Sequence, residues 1–345
     1  MKIDAIGDLF IWLSSGITSA SECARSLGPR TTIIVRQELA PFVESLELFD
    51  SVWPLDIKRF RWNLAYRIRM LLRLRRGGFS HVLQLRAARE FIQEDAIVRT
   101  IGAVDTRGVL GDLHNLAAWQ AAISDRWYEA IAYVPHSGVH ESERNSIVAQ
   151  ALTGRMPVRY AFRGDTPPAQ EWVNQRYWVV APGAGWLPRQ WPIYNFIEIA
   201  RRVTEKTSLL CIVIGTNGDI AAGLEIAAAT NGRSLCGLQS ISELAAIVQG
   251  AEFVLGNESG VSHMAAYFCV PSIAILGGGH FGLFMPYPER ALMGKPPRVA
   301  IHMMDCFNCN WHCRFKTARN EAVPCISNVD VNTVWQEVEN ILKSI

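Results

Sequence analysis

The sequence predicts two α/β domains, each built on a parallel β-sheet with helices on its faces. Two domains are expected because a chain of 345 residues is longer than one hydrophobic core usually supports. Short apolar runs rich in β-branched residues recur along the chain, as is typical of strands buried on both faces. Amphipathic segments lie between these runs, and the alternation indicates βαβ units. The runs cover residues 31–35, 81–85, 177–181, 209–215, 253–256 and 272–276.

Three helices of the second half are predicted from their periodicity and first residues. The segment 193–204 is amphipathic. The segment 241–248 follows Ser240, and Glu243 stands three residues after that serine, which is the pattern of a capping box. A last helix, 331–343, follows Asp330, a residue type preferred at the N-cap.

The domain boundary is expected where the alternating pattern breaks. A glycine and two prolines interrupt it in "FRGDTPPAQ", residues 162–170. We therefore predict one domain over residues 1–165 and a second over residues 166–345, with the terminal helix at the end of the second.

Composition and charge exclude several classes of protein. Hydrophobic residues make up 49% of the chain and charged residues 19%, which is globular. A net charge of +2 gives no general affinity for nucleic acid. No apolar run reaches the roughly 20 residues that span a bilayer. The opening "MKIDAIGDLF" carries acids and lacks a signal-peptide cleavage pattern, so a cytoplasmic protein is expected.

The segment "GNESG", residues 256–260, is a candidate phosphate site. It follows a predicted strand and precedes a predicted helix, and ligands of open parallel sheets bind beyond the carboxyl ends of strands. The free amides and dipole of a helix N-terminus favour an anion. Ser259 can add a hydroxyl, and Gly260 permits close approach. The alternative, that Ser259 only caps the helix, is equally favoured by the pattern.

A second loop, "APGAGWLPRQWPIYNF" (residues 181–196), also follows a predicted strand. Gly183 and Gly185 make it a glycine loop, and Arg189 supplies a cation suited to a diphosphate. The alternative is that Arg189 is a solvated surface charge.

These two loops, with "GLQSISELAAIVQGAEFVLGNESGVSHMAA" and "VPSIAILGG", resemble the donor-binding half of glycosyltransferase family nine, the lipopolysaccharide heptosyltransferases and their relatives. The resemblance extends to "DAIGD" near the start of the chain and covers most of it. It implies the GT-B fold, with two Rossmann-like domains that face each other across a cleft. It also implies a nucleotide-sugar donor in the C-terminal domain, an acceptor in the N-terminal one, and transfer with inversion and without an essential metal.

The resemblance also implies roles for individual residues. Ser259, Gly260 and Val261 match the positions that hold the donor diphosphate, and Arg189 matches a phosphate-contacting Lys or Arg. His263 matches a family histidine whose expected role is to hold the loop in shape.

Three residues depart from the family pattern. Asn257 replaces a common Asp, and Glu258 replaces an Asp that would contact the sugar or ribose; both are assigned to the donor site. "GGGH", residues 277–280, stands where the family often has "GPTDP", so the family assigns no role to His280.

Asp8 is the candidate general base. An inverting transfer needs a group that takes the proton of the acceptor hydroxyl, which contributes roughly 10²–10⁴-fold. The resemblance gives this role to the Asp of an N-terminal "GD", here Asp8. The alternative is an N-cap for a helix beginning near Leu9. Only six residues precede Gly7, so we expect a truncated first strand and an unpaired sheet edge.

Arg86 and Arg89 follow the strand at residues 81–85 and are candidates for binding an anionic acceptor. The alternative is that they form ion pairs with Glu90, Glu94 or Asp95.

The segment 57–78 holds eight Lys or Arg and no acid. Its apolar residues lie at helical spacing, so the structural interpretation is a surface helix whose stripe packs into the core. The functional interpretation is contact with anionic lipid or a phosphorylated glycolipid. Nucleic acid is not expected, because no known motif accompanies the charge. The stripe consists of Leu64, Ile68, Leu71 and Leu72, and the surrounding charges are Arg67, Arg69, Arg73, Arg75 and Arg76.

Four cysteines cluster late in the chain with the spacing C-x2-C-x3-C-x11-C: Cys306, Cys309, Cys313 and Cys325. This spacing favours a structural zinc site, with an iron–sulfur cluster as the less favoured metal alternative and His302 or His312 as substitute ligands. Disulfides are the second choice, since a cytosol is reducing.

The sequence therefore predicts an inverting glycosyltransferase that acts on a lipopolysaccharide or other cell-envelope glycan, cytoplasmic or peripheral on the inner face of the membrane. One alternative is a nucleotide-sugar-binding protein of the same fold with impaired catalysis. An NAD-dependent oxidoreductase is disfavoured, because no G-x-G-x-x-G follows an early strand.

Overall fold

The computed structural model describes residues 1–15, 17–111, 113, 115–135, 138–154, 175–288, 295–315, 317–318 and 321–345. The chain divides into two compact units, Met1–Tyr160 and Ala161–Ile345. The predicted boundary segment, residues 162–170, lies outside the described residues.

The first unit holds two small parallel sheets. β1 pairs with β2, and β3, β4 and β5 form a second sheet in that order. Its strands are β1 (Thr32–Arg36), β2 (Ser51–Leu55), β3 (His81–Leu83), β4 (Asp105–Val109) and β5 (Ala130–Ala132). Its helices are α1 (Ile6–Ser15), α2 (Ile17–Leu27), α3 (Ala40–Ser45), α4 (Ile57–Trp62), α5 (Leu64–Arg76), α6 (Ala96–Ile101), α7 (Ala118–Ser124) and α8 (Glu141–Thr153).

The first four residues lie between these two sheets. The Lys2 amide donates to the Ile34 carbonyl of β1 at 3.0 Å, and the Met1 nitrogen donates to the Leu83 carbonyl of β3 at 2.7 Å. Ile3 is buried in the core that both sheets share. The segment is not itself a regular strand, yet it gives the facing edge of each sheet a hydrogen-bond partner, where an unpaired sheet edge was expected.

The second unit is built on one six-stranded parallel sheet with the order β11-β10-β9-β6-β7-β8. The predicted strands of this half are present, as are the capping box at Ser240 and the N-cap at Asp330. The strands are β6 (Tyr177–Ala181), β7 (Leu210–Val213), β8 (Arg233–Ser234), β9 (Val254–Asn257), β10 (Ser272–Leu276) and β11 (Arg298–Ile301). The helices are α9 (Ile193–Lys206), α10 (Ile220–Thr230), α11 (Ile241–Gln249), α12 (Gly260–Tyr267), α13 (Pro324–Ser327) and α14 (Val331–Leu342).

The central strands of this sheet are fixed in place because their side chains are buried on both faces. Every residue of β6, β9 and β10 is buried. Trp178 stacks on Phe253 with ring centroids 4.9 Å apart, and α9 presses Phe196 into the same core. Each such side chain contributes about 1.5–3 kcal/mol when buried. The carboxyl ends of β6 and β9 are therefore held in a fixed relation.

Among the helices of the described ranges, none combines the length and apolar character that crossing a bilayer requires.

Candidate functional site

The end of β9 and the start of α12 form the phosphate candidate that the sequence predicts. β9 ends at Asn257, and α12 begins at Gly260. Ser259 occupies the N-cap position, but its side chain makes no capping hydrogen bond. Its hydroxyl is buried and has no partner among the described residues. A buried hydroxyl without a partner costs free energy, so this arrangement favours a ligand over simple capping.

Gly260 and Val261 lie in the first turn of α12. Amides in the first turn of a helix have no partner within the helix, so they add anion-binding capacity beside Ser259.

Asn257 connects this loop to the glycine loop. Its buried side-chain amide donates to the Pro182 carbonyl at 2.6 Å, and its oxygen accepts from the Trp191 amide at 3.0 Å. Both side-chain groups are thus committed to backbone partners. These two contacts fix the glycine loop against β9, a role that the sequence did not predict for Asn257.

The glycine loop is packed where Gly183 lies and open where Gly185 lies. A Cβ atom at Gly183 would stand 2.5 Å from the carboxylate of Asp219, so only glycine fits there. That carboxylate is itself held, because it accepts hydrogen bonds from the Thr216 amide and hydroxyl. Gly185 is exposed to solvent.

Arg189 reaches the phosphate candidate from the glycine loop. Its Nη2 lies 3.2 Å from Glu258 Oε2 and 3.4 Å from the Glu258 carbonyl. Burial raises the pKa of Glu258 to about 7, although Arg189 opposes the shift. The alternative interpretation of the sequence, that Arg189 is a solvated surface charge, is therefore wrong. The structure brings the cation, the carboxyl group and the orphan hydroxyl of Ser259 together.

His263 lies in α12 and is buried. Its Nδ1 is 2.7 Å from the hydroxyl of Tyr287, whose pKa is raised by burial. Because its pKa is raised, the Tyr287 hydroxyl stays neutral and keeps its hydrogen bond to His263. The contact fits the role of holding the loop in shape.

Trp311 is a site residue that sequence reasoning missed. The centroid of its ring lies 4.6 Å from the guanidinium carbon of Arg189. Its position inside the cysteine cluster was the available signal, but nothing in the sequence places that cluster beside Arg189.

The four clustered cysteines line one small cavity together with Phe307 and Trp311. All four are free thiols, so no disulfide joins them. His302 and His312 are exposed and lie outside the cavity lining. Across the described ranges, no group of three or more His, Cys, Asp or Glu side chains is arranged as a ligand set for a metal. The four thiols thus line the same cavity, but their sulfur atoms do not converge on a common metal position.

A second candidate site is a network of buried charges in the first unit. Asp4 pairs with Lys2 at 2.8 Å and with Arg86 at 2.6 Å, and Arg86 pairs with Glu94 at 2.7 Å. Burial would raise the pKa of Asp4, but Lys2 and Arg86 hold it below its ordinary value. Asp4 is therefore ionised at neutral pH.

Asp8 lies in the first turn of α1, next to this network. Because α1 begins at Ile6, Asp8 is inside the helix, and the expectation of an N-cap before Leu9 is wrong. Burial and then the negative charge of Asp4 raise the pKa of Asp8 to about 7. A carboxyl group with this pKa is matched to proton transfer near neutral pH.

Arg86 and Arg89 do not share one role. Arg89 is wholly buried, pairs with Asp125 and Asp95, and stacks over the Tyr128 ring at 4.8 Å. This burial contradicts the expected acceptor contact for Arg89, and the alternative of structural ion pairs is confirmed. Arg86 remains partly exposed beside Asp8.

The basic segment forms α4 and α5, and its apolar stripe faces outward. The exposed fractions are 70% for Leu64, 49% for Ile68 and 48% for Leu72. Met70 and Leu74 form the buried face of α5 instead. The expectation that this stripe packs into the core is wrong for these three residues. Trp62, 78% exposed, extends the apolar surface.

Residues 120–295, just over half of the chain, match the profile of glycosyltransferase family 9 (heptosyltransferase). Lipopolysaccharide heptosyltransferase 1 of Pseudomonas aeruginosa is 26% identical over 330 residues, which cover 90% of this chain and 84% of the relative.

Solved structures show the same fold. The structure of E. coli ADP-heptose lipopolysaccharide heptosyltransferase II has a TM-score of 0.72 at 15% identity and covers 99% of this chain and 98% of its own. E. coli heptosyltransferase WaaC with ADP-2-deoxy-2-fluoro heptose has a TM-score of 0.66 at 18% identity, with 99% of each chain covered. The likeness confirms the predicted fold class. The chain therefore belongs to glycosyltransferase family 9, the heptosyltransferases, and is a glycosyltransferase.

Proposed function

We propose that this enzyme transfers a heptose from ADP-heptose to an acceptor of the lipopolysaccharide core. The observation that carries the proposal is the Arg189–Glu258 pair beside the orphan hydroxyl of Ser259 at the start of α12. The names of the similar proteins supply the sugar and the glycan class. The comparisons give no support to the alternative of a protein with impaired catalysis.

The donor diphosphate would lie at the N-terminus of α12. There it accepts hydrogen bonds from first-turn amides and from the Ser259 hydroxyl. Arg189 would pass from Glu258 to the diphosphate when the donor binds, and this contact would strengthen as the bond from the anomeric carbon to the phosphate oxygen breaks. A cation aimed at this developing negative charge stabilises the transition state.

Asp8 would take the proton of the acceptor hydroxyl as its oxygen bonds to the anomeric carbon. Attack on the face opposite the departing diphosphate inverts the configuration. No metal is needed in this scheme, because Arg189 and the α12 amides stabilise the leaving group.

The test is a transfer assay with purified protein, preceded by a thermal-shift screen of nucleotide sugars. A donor at 100 times its dissociation constant should stabilise the protein by about 2.7 kcal/mol. We expect ADP-heptose to stabilise it more than UDP-sugars, and ADP to be released in the presence of a core acceptor. Inverted stereochemistry of the product is read by NMR. Stabilisation by no nucleotide sugar would refute the donor site.

We also propose a structural metal, zinc in preference to an iron–sulfur cluster, at Cys306, Cys309, Cys313 and Cys325. Four free thiols line one small cavity, and thiolates are the ligand type that structural zinc prefers; to bind the ion, these side chains must turn inward from the positions that they have in the structure. Such a metal would pin the loop and supply no chemistry. Elemental analysis should find about one metal per chain, lost in Cys309→Ser and kept in the control Cys269→Ser. Metal-free wild-type protein would refute it.

We further propose that the surface of α4 and α5 rests on the cytoplasmic face of an anionic membrane. Exposed Leu64, Ile68 and Leu72 lie on a helix that ends in Arg73, Arg75 and Arg76. Apolar insertion and charge attraction both favour lipid, at about 1 kcal/mol per basic residue.

Vesicle sedimentation tests this surface. Binding to phosphatidylglycerol vesicles should exceed binding to phosphatidylcholine vesicles, weaken with salt, and fall in Leu64→Ser/Ile68→Ser. The matched control is Ile220→Ser/Leu224→Ser, because these residues are also exposed four positions apart but on α10. Equal loss in both double variants would contradict the assignment.

A further inference from the structure

We propose that Trp311 is a positioning residue that holds the guanidinium of Arg189 toward the diphosphate site. This inference rests on the proposed function and extends it to the cysteine-rich loop, to which the reaction otherwise assigns no part. It also gives a role to the "GGGH" segment, for which the family resemblance supplies none.

Arg189 lies between two different partners. Glu258 binds one end of the guanidinium at 3.2 Å, and the Trp311 ring lies against it at 4.6 Å. A ring face restrains the plane of a guanidinium but uses none of its N–H donors. Trp311 can therefore keep its contact while those donors pass from Glu258 to an incoming diphosphate.

Trp311 is itself held by a short chain of hydrogen bonds. Its indole nitrogen and His280 Nδ1 are 3.3 Å apart, and His280 Nε2 is 2.7 Å from Asn310 Oδ1. Because an indole nitrogen only donates, Nδ1 must accept, and the ring proton of neutral His280 must lie on Nε2. That nitrogen then donates to Asn310. One tautomer thus satisfies the whole chain, which fixes the orientation of the indole.

The backbone is shaped to this indole as well. Trp311 has φ of 60°, a left-handed conformation that bulky residues adopt only when the surroundings impose it. A Cβ atom on Gly279 would stand 2.3 Å from the indole, so glycine is required under the ring. The Asn310 amide also donates to the Gly279 carbonyl at 2.9 Å. The glycines of residues 277–279 and the cysteine-rich loop together hold the indole of Trp311 in place.

The experiment is a double-mutant cycle of Trp311→Leu with Arg189→Ala, measured as kcat at saturating donor and acceptor. Trp311→Leu alone should lower kcat roughly 2- to 30-fold, the range that follows from the strength of a cation–π contact. The KM for the donor should change less. In the Arg189→Ala background, Trp311→Leu should cause no further loss of kcat, because the group it positions is gone.

Two further variants keep the test decisive. Trp311→Phe retains a ring face and should lose less activity than the Leu variant, and it enters the same cycle if Trp311→Leu fails to fold. Trp335→Leu is the matched control, because Trp335 stacks on Arg202 at 5.7 Å in the same unit and should leave kcat unchanged.

Equal losses of kcat on both backgrounds would overturn the positioning role and leave the proposed function standing. A wild-type protein that transfers no sugar would overturn both.

Discussion

Asp8 in the first unit and Glu258 in the second share a pKa raised to about 7, yet their neighbours differ in sign. Asp8 stands next to the ionised carboxylate of Asp4, whereas Glu258 stands next to the guanidinium of Arg189. Burial raises the pKa of both carboxyl groups, but the charge of the neighbouring residue gives each group a different role. A carboxyl group beside a negative charge gains affinity for protons, which suits a base. A carboxyl group beside a cation holds that cation until a stronger anion arrives.

Removing the base should have the largest effect. We expect Asp8→Asn to lower kcat by roughly 10²–10⁴-fold with little change in donor binding, because Asn cannot accept a proton. The measurement is steady-state transfer together with calorimetry of donor binding. Glu141→Gln is the comparison variant and should lower kcat far less, because Glu141 only contributes to the raised pKa of Asp8. A variant within about threefold of wild type would remove Asp8 from the mechanism.

Removing the cation comes second. Arg189→Ala should lower kcat about 10²-fold while the donor KM rises much less, because the contact strengthens only as the diphosphate departs. Ser259→Ala should cost less, since the backbone amides remain. An Arg189→Ala enzyme that changes only KM would show that the arginine binds the ground state and the transition state equally.

Asp8 and Glu258 should make transfer and donor affinity depend on pH in opposite directions, with effects smaller than those of the two substitutions above. Transfer should rise as pH increases through about 7, because Asp8 must be ionised to act. The Asp4→Asn variant should move this limb to lower pH, since the charge of Asp4 raises the pKa of Asp8.

Donor affinity should instead fall as pH rises through about 7. An ionised Glu258 competes with the diphosphate for Arg189, so protonation of Glu258 favours binding. Glu258→Gln should abolish this dependence. The intact nucleotide sugar is the ligand to use, because its phosphodiester groups do not titrate in this range. Donor affinity that rises with pH would contradict the pairing of Glu258 with Arg189.

The sequence predicted the second unit better than the first. Buried parallel strands read as continuous apolar runs, and caps such as Ser240 with Glu243 are local, so both can be recognised without knowing the fold. The loop at Ser259 and the loop that carries Arg189 were found because each lies between a predicted strand and a predicted helix.

The remaining features depend on contacts between distant parts of the chain. Nothing near Arg89 distinguishes it from Arg86, yet packing under Tyr128 buries one and leaves the other partly exposed. Trp311 lies far along the chain from Arg189, and only the folded loop unites them. On α5, helical periodicity identifies a stripe, but it does not say that Met70 and Leu74 form the buried face.

Asn257 carries a consequence for engineering by consensus. Designers often restore the residue that is commonest among relatives, and the family resemblance of the sequence implies that this residue would be Asp. An aspartate oxygen in place of the amide nitrogen would face the Pro182 carbonyl at 2.6 Å, two acceptors without a hydrogen between them. The substitution would loosen the glycine loop from its strand. At this position the residue implied by the family resemblance cannot make the hydrogen bond that Asn257 makes in this chain. A glycine loop grafted from a relative would therefore also need the residue that stands at position 257 in that relative.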